Sequence, residues 1–172
     1  MQNRIIRATI MAACVALCAC SEDKIDKCPS VSTLVDTATL PVFQAGGSAI
    51  VYSVHIARAT RDCDIHKFDK QVESSLNIDF RAVRAQAGQA ATYTIPYYVA
   101  VSTEGRVLTK HVYSLQFTFE AGQATAEFSQ SLDSIAITLG QDKKPTEYGI
   151  LVGFQLTKAQ LEYNRRAGRY PP

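Results

Sequence analysis

The sequence predicts an all-β domain: an immunoglobulin-like β-sandwich of about seven or eight strands with a short C-terminal helix, a small β-barrel being the alternative. Three observations lead there. Apolar and polar residues alternate with period two in successive stretches, the signature of strands with one buried face. Glycine-containing turn signals, Gly46-Gly47, Glu104-Gly105 and Ala121-Gly122, punctuate those stretches at short spacing. A helical signature appears only near the C-terminus. A hydrophobic fraction of 47% and a charged fraction of 20% over 172 residues place the chain among globular single domains rather than disordered ones.

Taken in order, the domain begins with an entry segment pinned by Cys28 and turned by Pro41, read as loop with a short turn or strand. In SAIVYSVHIA, Ile50, Tyr52, Val54 and Ile56 share a phase and predict a strand. A second strand surrounds Cys63, with Asp62, Asp64 and His66 on one side and Cys63 and Ile65 on the other. The clearest strand is VESSLNIDFRAV, where Val72, Leu76, Ile78 and Phe80 face inward. In TYTIPYYVAVS, Ile95, Tyr97, Val99 and Val101 are in register, and Pro96, which cannot donate to a ladder, predicts an edge position or a bulge.

Glu104-Gly105 turns the chain into RVLTKHVYSLQFTFE, where the apolar phase changes between Leu108/Val112 and Tyr113, Leu115, Phe117 and Phe119. A bulge or a change of sheet near Val112 accounts for the change. Phe128, Leu132, Ile135 and Ile137 mark another strand, and YGILVGFQL the last. Thr157 and Gln160 form a capping box, with Leu156 and Leu161 at staple spacing, which predicts a helix from Lys158 to Arg166. Gly168 and Pro171-Pro172 end it.

Upstream of the domain, residues 1–19 read as an export signal: Arg4 and Arg7, an apolar run too short to span a bilayer, and small residues before the cut. Leu17, Ala19 and Cys20 fit a lipobox, although Cys18 is an unusual middle residue. Cys20 is then the lipidation site, its thiol in thioether linkage to diacylglycerol and its freed amine acylated, which anchors stably because two or more chains are present. Ser21 rather than Asp after the cysteine favours the outer membrane over the inner. Residues 20–27 form the lipidated cysteine and a polar tether. Its seven residues beyond Cys20 reach only about 25 Å. Residues 28–172 are the domain.

Processing removes Cys14 and Cys18 and commits Cys20, so Cys28 and Cys63 remain as a pair for a disulfide in an oxidising compartment. The bridge is expected to tie the entry segment to the second strand without crossing the core. Redox or metal use of the pair lacks the close Cys-x-x-Cys spacing. Removing residues 1–19 lowers Lys plus Arg from 18 by the two arginines to 16, against 16 Asp plus Glu. A neutral exported chain excludes nucleic acid as a partner, since phosphate binding needs a basic footprint.

The tract from Cys28-Pro29 through Asp36-Thr37-Ala38, the later Cys63, the segment from Ile95 to Val101 and the ending from Val152 to Arg165 resemble a family of small lipoproteins from alphaproteobacteria. The likeness spans nearly the whole processed chain, the ending being its most specific part. It implies lipidation and a β-rich periplasmic domain, and carries over no catalytic residue.

Catalytic motifs are wanting: the sequence has no Gly-x-Ser-x-Gly elbow, no His-Glu-x-x-His pair, no phosphate loop and no dinucleotide fingerprint, and no cofactor is expected. Asp62, Asp64 and His66 are the one weak metal candidate, because alternate strand residues share a face; a solvated polar face is the competing reading. His55 and His111 read as single strand histidines. Tyr97 and Tyr98 point to opposite faces, so one is core and the other displayed on an edge strand, a surface for strand addition by a partner, unless Tyr98 covers its own sheet. The functional expectation is a non-enzymatic, membrane-anchored envelope or protein-interaction component, against a small-ligand carrier or enzyme with a pocket built from distant residues.

Overall fold

A computed structural model describes residues 27–167; the expected signal segment, Cys20 and the tether before Lys27 lie outside them. The period-two stretches become eight strands: β1 (Ser30–Thr33), β2 (Thr39–Phe43), β3 (Ile50–His66), β4 (Gln71–Arg84), β5 (Ala91–Thr103), β6 (Arg106–Phe119), β7 (Thr125–Thr138) and β8 (Tyr148–Phe154). Among the described residues one α-helix follows, α1 (Lys158–Arg166), with the range its capping box predicts. The strands form two four-stranded sheets, β1-β8-β5-β6 and β2-β3-β4-β7, so the fold is an all-β sandwich and not a closed barrel. Three successive strands, β2, β3 and β4, lie in one sheet, whereas a constant-type immunoglobulin chain crosses after two. The likeness is one of architecture.

The core is where the inward faces meet. From one sheet come Tyr52, Val54, Val72, Leu76, Ile78 and Phe80; from the other Ile95, Tyr97, Phe117, Phe119, Ile150 and Phe154. Phe80 joins the layers at the centre, its ring centroid 5.8 Å from Tyr97, 5.9 Å from Phe154 and 5.4 Å from Phe128.

Burial pushes the Tyr52 and Tyr97 phenols up to about 12, with Tyr93 and Tyr113 adding to the respective shifts. Both folded values lie above the ordinary value of 10.0, so the unfolded chain ionises first. This contribution to stability is complete below pH 10 and is lost as pH rises towards about 12. Discounted for solvent screening, the expected loss is about 1–2 kcal/mol per ring. Guanidinium midpoints at pH 9 and pH 11.5 check this, and Tyr52→Phe should remove its share of the fall.

Three local readings need correction. The stretches around Tyr52 and Cys63 are one strand, β3, with a register shift between Ile56 and Arg58. Inward positions are even-numbered before the bulge and odd-numbered after it, which is why the sequence reads as two strands. Second, the irregularity in β6 falls at Leu108, where pairing passes from Val101↔Thr109 to Ser102↔Val107; Val112 stays in register opposite Tyr98.

Third, β5 is not an edge strand at its tyrosines. It lies between β6 and β8 from Tyr97 to Thr103, and only the part up to Pro96 lacks the β8 neighbour. The Gln155 amide donates to the Pro96 carbonyl at 3.1 Å, just past the end of β8. The N–H that proline lacks would point to the same side, where the ladder with β8 has already ended.

Helix α1 guards the outer edge of β2. The Thr157 hydroxyl accepts from the Gln160 amide at 3.3 Å, and the Gln160 Oε1 accepts from the Thr157 amide at 2.9 Å, completing the cap. The other end of the same side chain, Nε2, donates to the Pro41 carbonyl at 2.8 Å, while Asn164 Nδ2 donates to the Thr39 carbonyl at 2.8 Å. Side-chain amides thus occupy β2 carbonyls that a further strand would otherwise engage.

Candidate functional site

Among the described residues, two surfaces stand out: one end of the sandwich, where the chain enters the domain, and the free edge at β6. At the entry end, β1 pairs in parallel with the start of β8, Ser30 opposite Gly149. The β3–β4 turn, residues 67–70, and the β7–β8 loop converge on the same end, where the Leu139 amide donates to the Lys70 carbonyl at 2.7 Å. Between them opens a cleft of about 670 Å³. Its rim carries Lys27, Lys67, Lys70, Lys143 and Lys144, with Asp142 among them, and Ile65, Leu139 and Pro145 give it apolar walls.

Lys143 is engaged: its ammonium pairs with Glu104, and with Glu147 at 3.1 Å. Hydrogen bonding to those two carboxylates holds the Lys143 pKa above its ordinary value, and the Lys143 hydrogen bond lowers that of Glu104. No ion pair engages Lys27, Lys67 or Lys70 among the described residues. Phe68, at the tip of the β3–β4 turn between Lys67 and Asp69, is fully exposed. Alternation does not mark this turn; its signal in the sequence is an aromatic residue among charges in a segment too short to bury it.

The expected bridge is present close by. Cys28 and Cys63 are disulfide-bonded, with Cα atoms 5.8 Å apart and a sequence separation of 35. Cys28 and Cys63 are both half-buried, so the bond lies at the margin and ties the entry segment to β3 without crossing the core. The Arg61 guanidinium donates to the Pro29 carbonyl beside it.

Asp62, Asp64 and His66 do share the exposed outer face of β3, but they do not converge as a ligand set. Asp64 stands opposite Glu73 and Asp62 opposite Ser75 on β4. His66 Nε2 lies 3.8 Å from Glu73, which also accepts from the Ser134 hydroxyl at 2.7 Å. Among the described residues no three His, Cys, Asp or Glu side chains are arranged to hold a metal ion. His55 is placed between the Thr39 hydroxyl, 3.0 Å from Nδ1, and the Ser53 hydroxyl, 3.2 Å from Nε2; desolvation, then Arg81, lowers its pKa. His111 is exposed on β6.

Tyr97 and Tyr98 do point to opposite faces, yet neither is displayed: their exposures are 1% and 6%. They do not form the partner surface expected of them. Tyr98 lies across its own sheet, its hydroxyl 3.1 Å from the Thr37 hydroxyl and its ring 4.3 Å beneath the Lys110 ammonium. Its cross-strand neighbour is Gly153, where a Cβ would stand 2.6 Å from the tyrosine Oη and 2.7 Å from Cζ. Gly153→Ala should therefore cost about 1–3 kcal/mol through forced displacement of the ring. Chemical denaturation checks this; an unchanged midpoint means the ring moves aside freely.

The exposed edge assigned to β5 belongs instead to β6. Its first half, residues 106–112, is exposed throughout, including Val107, Leu108 and Val112. Such an edge offers unpaired backbone groups beside apolar side chains. No helix among the described residues is long and apolar enough to cross a membrane. Comparison with protein-family models, with curated proteins and with solved structures returned no match in any of the three.

Proposed function

We propose that this chain is a lipid-anchored component of a bacterial envelope, facing the periplasm and held more at the outer than the inner membrane, that binds a protein partner rather than catalysing a reaction. The observation that carries the anchoring is the use of the cysteines. Cys28 and Cys63 are bonded to each other, a use suited to an oxidising compartment, and this leaves Cys20 as the one cysteine of the processed chain free to take lipid. The lipobox and the resemblance to small alphaproteobacterial lipoproteins support the same reading. The partner role is supported by the β6 edge, suited to strand addition.

Cys20→Ala should move the protein from the membrane to the soluble fraction, with its denaturation midpoint unchanged. A wild-type protein that is soluble and carries an unmodified Cys20 by mass spectrometry refutes the anchor. For the partner, a photocrosslinker at Val112 should capture an envelope protein in cells, and Val107→Lys with Leu108→Lys should abolish capture without unfolding the domain. Undiminished capture by the double variant removes the β6 edge from the proposal. The second reading, a small-ligand carrier, rests on the lysine-rimmed cleft.

A further inference from the structure

The cleft and the Phe68 turn lie at the end from which the tether leaves, and that placement has a physical use. We infer that this end docks on an anionic phospholipid surface, with Phe68 entering the headgroup layer and the rim lysines meeting lipid phosphates; the inference rests on the anchored reading above. Lys27, the first described residue, lines the cleft and is the last of the seven residues that follow Cys20. A leash of about 25 Å holds the domain near the headgroups, and the end nearest the leash is the one that meets them most readily.

The chemistry of that end fits the surface. Phe68 is a large apolar ring wholly in water, on the turn that lies beyond the last β3–β4 pair, His66↔Gln71. Phe is among the side chains that segments lying in a bilayer interface bury at the headgroup boundary, and insertion would remove this ring from water. Lys67 and Lys70 flank it within the turn, and Lys27 and Lys144 stand around the adjoining cleft. Cations next to an anionic leaflet are attracted within about a Debye length. Asp69 and Asp142 oppose the attraction, and Lys143 is committed to Glu104 and Glu147, so the charge is carried by Lys27, Lys67, Lys70 and Lys144. The apolar walls of the cleft, Ile65 and Leu139, suit the glycerol and first methylenes beneath a headgroup.

The chain has no tryptophan, so Phe68→Trp gives a single indole at an exposed position, which can be excited apart from the tyrosines. The full processed protein carrying this change is reconstituted in vesicles of phosphatidylethanolamine with phosphatidylglycerol, and separately of pure phosphatidylcholine, each with and without brominated acyl chains. The expected result is a blue-shifted emission quenched by the brominated lipid on the anionic vesicles, about tenfold weaker when Lys67→Glu and Lys70→Glu are added. A water-like, unquenched emission on anionic vesicles overturns the inference. So does equal quenching on phosphatidylcholine, or the same blue shift with inorganic phosphate and no vesicles, which makes the cleft a solute site. Co-sedimentation with vesicles and the mass of Cys20 report the anchor independently of the indole, so a failed anchor and a failed docking give different results.

Discussion

Loss of the Cys28–Cys63 bond should lower the stability of the domain by about 3–4 kcal/mol. The chain-entropy argument gives that magnitude for a closed loop of this length, the separation being 35 residues. The structure adds where the loss is felt. Cys28 lies just before β1, a four-residue strand at the edge of one sheet, and Cys63 lies on β3 in the other. Without the bond, β1 is held by its parallel pairing to β8 and by the Arg61 contact to Pro29, so the entry segment should fray before the sandwich melts. Urea titration of the oxidised protein, the dithiothreitol-reduced protein and the Cys28→Ser, Cys63→Ser double variant measures this. Equal midpoints for all three would show that the bond contributes nothing to the folded domain and would remove the structural reason for folding it in an oxidising compartment.

Local signals in the sequence mostly hold in the folded chain. Thr157 and Gln160 place α1 because a capping box is complete within four residues. Val72, Leu76, Ile78 and Phe80 place β4 because an uninterrupted alternation has only one inward phase. What escaped was long-range. The second role of Gln160, at the Pro41 carbonyl, joins residues 119 apart. Tyr98 is covered by Thr37 from a distant 3-10 turn, Val35–Thr37, and by the bare backbone at Gly153, neither of which alternation within β5 can reveal.

The candidate surfaces divide in the same way. The disulfide was legible by counting cysteines, because the chemistry of export restricts what each thiol can become. The β6 edge was not, since which strand ends a sheet depends on the whole order of strands, and Pro96 pointed to β5. The proline signal was genuine but local: it marks the point on β5 where β8 ends. The lysine-rimmed cleft draws on Lys27, the β3–β4 turn and the β7–β8 loop, segments far apart in the chain that only the folded sandwich brings to one end.

Phe80→Ala should cost about 3–5 kcal/mol, the range for removing a large buried aromatic side chain. Phe80 is 1% exposed and is the ring at which both sheets meet, with Tyr97 and Phe154 across the sandwich and Phe128 stacked beside it on the neighbouring strand. Those neighbours belong to β5, β8 and β7; β5 and β8 are paired on both sides and cannot close the space without breaking their ladders, so most of the cavity should persist. The measurement also bears on function. Among the described residues, an interior filled in this way leaves binding to the ends, edges and outer faces of the sandwich. Guanidinium denaturation of Phe80→Ala decides the point: a loss of several kcal/mol fits a filled interior, whereas a loss below about 1 kcal/mol, smaller than cavity formation allows, would mean that the sheets are loosely packed at their centre and would turn attention from the β6 edge to a carrier function inside the sandwich.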